Sequence, residues 1–134
     1  MYLLDVNVLL ALLSPTHIHH RSATSWYAVH SSFGWSLTSV TFLGAVRIMA
    51  QPTYKEFLGG VADAYKLIRT LQESQYQLVL QSNLEPLGTT GIPDIPSKHL
   101  TDWYLIKLAQ YYRLTFVTFD ALAASLGSNT LLLK

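Results

Sequence analysis

Residues 2–13 read YLLDVNVLLALL, in which Asp5 separates a short apolar run from a longer one. The first run predicts a buried strand. The second predicts a helix that ends at Ser14-Pro15, because proline cannot continue a helix. A later segment has the same design, since the β-rich run Leu114–Phe119 ends on Asp120 and a short helix follows. The fold is therefore predicted around two strand–Asp–helix units.

The remaining segments also alternate between strand and helix. We predict strands at Tyr2–Leu4, Phe33–Leu37, Tyr76–Leu80, Leu114–Phe119 and Leu131–Leu133, and helices at Val6–Leu13, His19–His30, Val40–Ala50, Phe57–Glu73, Lys98–Tyr112 and Ala121–Leu126. Turn-forming residues between Asn83 and Ser97 predict a loop, with Ser97 as N-cap of the next helix. Such alternation favours parallel pairing. We predict an α/β fold: one domain over residues 1–134, a three-layer α/β/α sandwich with a central parallel sheet.

The composition describes a chain that can fill a hydrophobic core. Half of the 134 residues are hydrophobic, 13% are charged, the net charge is +1 and no cysteine is present. The charged fraction is half the roughly 25% usual in soluble domains, so a partner can cover part of the apolar surface. A net charge this small does not indicate nucleic-acid binding by bulk electrostatics. The lack of cysteine excludes disulfides and zinc–thiolate sites.

Targeting signals are missing from the sequence. Its first residues lack the basic leader of a signal peptide, and no run of about 18 apolar residues could span a membrane. We therefore expect a protein of the reducing cytoplasm without a membrane partner.

Three of the eight acidic residues have unusual positions. Asp5 and Asp120 each close a predicted strand, and Asp102 lies in the first turn of a predicted helix. Sites in open parallel sheets form at the carboxyl ends of strands, so the three carboxylates can meet there if the two strands are neighbours. The alternative is structural: each can be a helix cap or a partner of the helix dipole.

Three motifs give the chain a family resemblance. Residues 4–10, LDVNVLL, resemble the opening motif of PIN-domain ribonucleases, particularly the VapC-like toxins of bacterial toxin–antitoxin pairs. Residues 100–105, LTDWYL, resemble the central motif of that family, and residues 117–120, VTFD, resemble its late motif. Each motif alone is weak, but the three in this order are specific, and the resemblance covers nearly the whole chain.

The resemblance implies Mg²⁺- or Mn²⁺-dependent endonucleolytic cleavage of RNA by attack of water at phosphate. Asp5, Asp102 and Asp120 would be catalytic metal ligands, directly or through water, with Asn7 and Thr118 as polar supports. A small hard cation of this kind prefers oxygen ligands and retains several waters, so a few carboxylates can hold it. The resemblance also implies a cognate antitoxin as partner, and dimers are common among similar proteins, so we expect a homodimer.

One position departs from the family pattern. Many members carry a Glu just after the residue that corresponds to Thr41, and here that residue is Phe42. No acidic residue occurs between Asp5 and Glu56, so no neighbouring carboxylate can take its place. We therefore expect weaker metal binding and reduced activity. The second hypothesis is a PIN-like module without catalysis that binds RNA or an antitoxin. A receiver-like phosphoacceptor domain ranks far below both, because the paired acids after its first strand are missing.

Other polar and aromatic residues give weaker signals. Arg47 follows the second predicted strand and can contact an RNA phosphate or an antitoxin carboxylate, or can be a solvated helix residue. His17, His19 and His20 are expected to be solvent-exposed rather than zinc ligands, with contact to RNA phosphates as a further alternative. The three tryptophans are expected in the core or at an interface rather than as base-stacking platforms.

Overall fold

The structure is a computed structural model, and it describes residues 1–73 and 94–134. The strands are β1 (Tyr2–Leu4), β2 (Trp35–Ser36), β3 (Thr115–Thr118) and β4 (Thr130–Leu132), and the helices are α1 (Val6–Leu13), α2 (His20–His30), α3 (Ser39–Met49), α4 (Val61–Gln72), α5 (Leu100–Tyr111) and α6 (Ala121–Ala124). Single 3₁₀ turns, Ser31–Phe33 and Ser97–His99, precede β2 and α5. The predicted strand Tyr76–Leu80 and most of the predicted loop Asn83–Ser97 lie outside the described residues.

The described strands form one parallel sheet in the order β2-β1-β3-β4. Leu4 of β1 is in register with Val117 of β3, and Val117 is in register with Leu131 of β4. The chain places β2 on one side of β1 and β3 on the other, so the strand order reverses at β1. In open parallel sheets, ligands bind outside the carboxyl ends of the strands at such a reversal.

Alternate residues of the central strands face two separate cores, because successive side chains in a strand point to opposite sides. Leu4 and Val117 belong to a core that contains side chains from α1, α2, α3 and α4. Leu3 and Phe116 belong to a second core, made with α5 and α6. Helices thus cover both faces of the sheet, and the predicted α/β/α sandwich is confirmed.

The helix predicted at Phe57–Glu73 is wrong at its start. The structure begins α4 at Val61, after Gly59-Gly60, because glycine disfavours the helix interior and Gly60 instead serves as N-cap. The Asp63 carboxylate accepts the Gly60 backbone N–H at 3.0 Å and so fixes this start. Phe57 lies before the helix, yet it still packs against the first core.

Three smaller predictions also need correction. Ser97 is not the N-cap of α5; it opens the 3₁₀ turn, and His99 is the N-cap. The strand predicted at Phe33–Leu37 is only two residues long, because the 3₁₀ turn takes Phe33. The apolar run Val40–Ala50 predicts that Leu43 and Val46 face inward, but Leu43 is 62% exposed.

The tryptophan prediction is confirmed, since Trp26, Trp35 and Trp103 are all buried. None of the helices in residues 1–73 and 94–134 is long and apolar enough to cross a membrane.

Candidate active site

Asp5 lies at the carboxyl end of β1 and is also the N-cap of α1. Its backbone N–H continues the sheet by donating to Val117 O at 3.0 Å. One carboxylate oxygen, Oδ1, accepts the Val6 backbone N–H at 2.7 Å, which caps the helix. The other oxygen, Oδ2, accepts the Thr118 hydroxyl at 2.7 Å. The residue is 6% exposed, so a carboxylate is held in the interior on the strand pair where the sheet reverses.

The Thr118 hydroxyl connects the two strand ends. It accepts the Asn7 side-chain amide at 3.1 Å and the Asp120 backbone N–H at 3.0 Å. A hydroxyl has one proton to donate and two lone pairs to accept with. Because both of those partners are donors, the one proton of Thr118 goes to Asp5. All three bonding positions of the hydroxyl are then filled.

Asn7 determines the direction of this network. Its amide oxygen accepts the Phe119 backbone N–H at 3.1 Å, which leaves the NH₂ group for Thr118. The amide orientation therefore does not depend on an arbitrary choice between oxygen and nitrogen. Donors run in one direction, from Phe119 N–H through Asn7 and Thr118 to the Asp5 carboxylate.

Asp120 and Asp102 approach the same edge of the sheet from two helices. Asp120 is the N-cap of α6, and its Oδ1 accepts the backbone N–H groups of Leu122 at 2.8 Å and Ala123 at 3.3 Å. Asp102 lies in the first turn of α5, with Oδ2 3.9 Å from His99 Nδ1. Asp5 and Asp120 are therefore helix caps, as the structural alternative expects. Capping engages one oxygen of each carboxylate, so it does not exclude a second role.

The three carboxylates interact electrostatically. Burial raises the pKa of Asp5 from 3.8 to about 6, the Thr118 and Val6 hydrogen bonds oppose that rise, and Asp102 and Asp120 add to it. Burial also raises the pKa of Asp102, and the negative charge of Asp120 raises it further, whereas His99 lowers it. The fold thus brings the three carboxylates, which together we call the acidic centre, close enough for charge repulsion to add to the effect of burial on Asp5 and Asp102.

A hard divalent cation fits this donor set. Carboxylate oxygens are its preferred ligands, and a bound positive charge would reverse the repulsion that raises the pKa of Asp5 and Asp102. Across residues 1–73 and 94–134, no three acidic, histidine or cysteine side chains are arranged to hold an ion directly. The fit therefore relies on bridging waters, which Mg²⁺ characteristically retains when one or two carboxylates bind it.

Comparison with known proteins gives relatives along almost the whole chain. Ribonuclease VapC39 of Mycobacterium tuberculosis is 36% identical over 129 residues, which are 94% of this chain and 93% of that protein. Ribonuclease VapC38 of the same species is 33% identical over 90% of this chain and 86% of its own length, and ribonuclease VapC44 is 36% identical over 88% and 84%. No family model matches the chain.

This chain belongs to the VapC family. Its parallel sheet between two helical layers is the PIN-like fold that the motifs predicted. The match covers most of the length of each of these relatives as well as most of this chain.

In this VapC chain, Phe42 is part of the hydrophobic core. It is 8% exposed, and its ring makes an edge-to-face contact with Tyr65 of α4, with ring centroids 4.8 Å apart. The preceding residue, Thr41, is fully buried and joined to Thr38 by backbone and side-chain hydrogen bonds. The position at which the family resemblance predicts an acid is thus used here to pack α3 against α4.

Arg47 lies on the outer side of α3. It is exposed and lines a shallow depression of about 290 Å³ with Val40, Leu43 and Gly44. Gly44 faces the start of α1, since a Cβ on it would lie 3.5 Å from a Val6 methyl. The depression therefore flanks the residue that follows Asp5.

The histidine prediction is wrong in one respect, because His17, His19 and His20 are half-buried rather than exposed. The ring of His19 is stacked on Phe119, with centroids 4.4 Å apart and planes 11° from parallel. Sequence patterns gave no signal for this contact, because it joins residues 100 positions apart. Because Phe119 directly precedes Asp120, the contact joins the α1–α2 loop to the strand end that carries this aspartate.

Proposed function

We propose that this chain is a metal-dependent endoribonuclease and the toxin of a toxin–antitoxin pair, cleaving RNA by attack of water at phosphate. One observation carries the proposal: Asp5, Asp102 and Asp120 lie near the carboxyl ends of β1 and β3, where Asp102 and Asp120 raise the pKa of Asp5 and Asp120 raises that of Asp102. Such a cluster is costly without a cation. The VapC relatives are named ribonucleases, which supports the same activity here.

The residues have distinct roles in this proposal. Asp5, Asp102 and Asp120 hold Mg²⁺ or Mn²⁺, in part through waters, and the ion supplies Lewis-acid stabilisation of the phosphate charge. Thr118 and Asn7 keep the Asp5 carboxylate oriented and favour its ionised form, because every donor in their network points toward it. The α1 and α6 N-termini direct backbone N–H groups to the same edge, which adds positive potential there.

The partner proposals rest on the surface beside α3. Arg47 has no acidic partner within the part of the chain that the structure describes, and the depression next to it is lined by Val40, Leu43 and Gly44. An unpaired guanidinium beside apolar side chains suits an RNA phosphate or a carboxylate of the cognate antitoxin. We also propose a homodimer and a cytoplasmic location, in keeping with the low charged fraction and the lack of cysteine.

A second candidate is the same fold without catalysis, retained for binding RNA or an antitoxin. The position of Phe42 favours it, because a core ring replaces the acid that many relatives carry. Calorimetry with Mn²⁺ separates the two candidates. The nuclease should bind Mn²⁺ in the wild type and lose that binding in Asp5→Asn, whereas equal heats in both proteins would favour the binding module.

The direct test incubates the purified protein with total RNA, with and without Mg²⁺ or Mn²⁺. We expect cleavage that needs the cation and is lost in Asp102→Asn. Asp63→Asn is a matched control, because Asp63 is also a first-turn carboxylate but lies on α4, away from the acidic centre. Metal-independent cleavage, or equal activity of Asp102→Asn and the wild type, would reject the proposed site.

A further inference from the structure

The loop between α1 and α2 places a histidine against the end of β3, at the residue that precedes Asp120. The ring of His19 is stacked on Phe119, and the Phe119 backbone N–H is held by the Asn7 amide. Phe119 lies between Thr118 and Asp120, so the strand end that carries the Asp120 carboxylate also fixes the position of the His19 ring.

His19 differs from its two neighbours in its hydrogen bonds. His17 Nδ1 accepts the His19 backbone N–H at 3.0 Å, and His20 Nδ1 bonds Ala11 O at 2.7 Å, so both of those rings are tied to the backbone. The His19 ring nitrogens make no hydrogen bond to any residue that the structure describes. A half-buried imidazole that is held in place by stacking, yet has unused polar atoms, is suited to bind a ligand.

The rings packed around His19 limit how it can contact RNA. Bases in a stack are about 3.4 Å apart, so a base between two rings would hold them about 7 Å apart. The His19 ring is 4.4 Å from Phe119 and 5.8 Å from His17, which leaves no room for a base between either pair. The edge of the ring, with its N–H donor, remains for recognition. A phosphate oxygen is the acceptor that an RNA backbone presents repeatedly.

We propose that His19 donates a ring N–H to a backbone phosphate of the RNA strand, beside the bond that the acidic centre cleaves. The assignment rests on the proposed function and makes His19 a substrate-binding residue, not a catalytic one. A neutral donor of this kind would add an attraction for the RNA backbone in a chain whose net charge is only +1.

The test compares His19→Phe, which keeps the stack and loses the donor, with His19→Gln, which keeps a donor. His30→Phe is the matched control: His30 is also stacked, on Trp26 with centroids 5.3 Å apart, but it ends α2 and contacts Tyr2 at the start of β1. For cleavage of a mapped RNA, we expect His19→Phe to raise KM about 3- to 10-fold, with kcat within twofold. His19→Gln should recover most of the loss, and His30→Phe should match the wild type.

A backbone-substituted RNA identifies the acceptor. Binding of a short fluorescein-labelled single-stranded RNA is measured in the Asp102→Asn background, with one methylphosphonate placed at each linkage in turn. At one linkage, the methylphosphonate should weaken RNA binding by the protein that has His19. In His19→Phe the same methylphosphonate should have no further effect, because both changes remove the same contact. Thermal unfolding of each variant shows that it is folded.

The outcomes separate the two proposals. Equal affinity of His19→Phe and its parent, or equal sensitivity to the methylphosphonate in both, would overturn the His19 assignment and leave the nuclease intact. A wild type that neither cleaves nor binds RNA would overturn the proposed function, and the His19 assignment with it.

Discussion

At the scale of single residues, the Asp5 carboxylate is subject to opposing effects on its ionisation. Two hydrogen bonds stabilise its carboxylate, while burial and two neighbouring aspartates disfavour the charge. The strand-end position of Asp5 could be predicted from the sequence, because an apolar run stops there. Its bond to Thr118 could not, since the two residues are 113 positions apart and meet only through the β1–β3 register.

The raised pKa of Asp5 predicts how stability depends on pH. Between pH 3.8 and about 6, the unfolded chain releases the Asp5 proton and the folded protein retains it, so the metal-free protein should lose stability as pH rises through this window. The predicted loss in the free energy of unfolding is about 3 kcal/mol, and it is complete above about pH 6. Urea unfolding of wild type and Asp5→Asn across this range checks the sign. A decline of the same size in Asp5→Asn would contradict it.

Phe42→Glu tests whether the missing acid limits the site. Phe42 is only 8% exposed, and the substitution removes its ring from the core and puts a charge in its place. The stability of the metal-free protein should therefore fall by roughly 3 kcal/mol. Mn²⁺ should restore part of that loss and RNA cleavage should increase. Phe42→Gln is the control, with similar size and no charge. Equal responses of the two variants to Mn²⁺ would show that position 42 does not limit activity.

At the scale of elements, the turn from α5 to β3 has a conformation that its sequence does not suggest. Arg113 has a φ of 58°, a left-handed value usually taken by glycine. The Arg113 N–H donates to Gln110 O at 3.1 Å and the Leu114 N–H to Ala109 O at 2.7 Å, which together form a Schellman ending. The pair Gly59-Gly60 indicates where α4 begins, whereas no residue near Arg113 indicates that α5 ends in this way.

Arg113→Gly should therefore stabilise the protein by about 0.5–1 kcal/mol, because glycine adopts positive φ without a Cβ clash. Arg113→Ala should give no gain, since alanine keeps the Cβ. Chemical unfolding of the three proteins measures the difference, and the prediction fails if alanine stabilises as much as glycine.

Two glycines in different surroundings should respond oppositely to alanine. At Gly127 a Cβ would lie 2.5 Å from a methyl of the fully buried Ile106, so Gly127→Ala should cost about 1–3 kcal/mol. At Gly44, inside α3, the nearest atom would be 3.5 Å away, so Gly44→Ala should gain up to about 1 kcal/mol from helix propensity. Melting temperatures of the two variants check the contrast, which would be refuted by shifts of the same sign.

At the scale of the whole molecule, alternation of strand and helix was enough to predict the parallel sandwich. It was less informative about helix faces: Leu43 is exposed although its neighbours Val46 and Met49 are buried. The reason is that the buried apolar residues of α3 are spaced three and four apart and form one face, and Leu43 lies outside that face. The contact between His19 and Phe119 likewise depends on how a loop closes over the finished sheet.

A cation that binds the folded acidic centre should stabilise the entire domain, because the site draws on β1, β3, α5 and α6 at once. We expect Mn²⁺ to raise the melting temperature, more strongly at pH 7 than at pH 5, since Asp5 is largely ionised only above its pKa of about 6. Scanning calorimetry with and without Mn²⁺ tests this, and a shift independent of pH would argue against Asp5 as a ligand.

The central place of β1 in the sheet has a consequence for synthesis. The ribosome makes β1 well before its neighbour β3, which ends at Thr118, more than a hundred residues later. During most of translation, the nascent chain contains Asp5 but not β3, the strand that brings Asp120 near it. The acidic centre therefore forms only when β3 has emerged, so a product that ends before β3 lacks the arrangement on which the proposed nuclease activity depends.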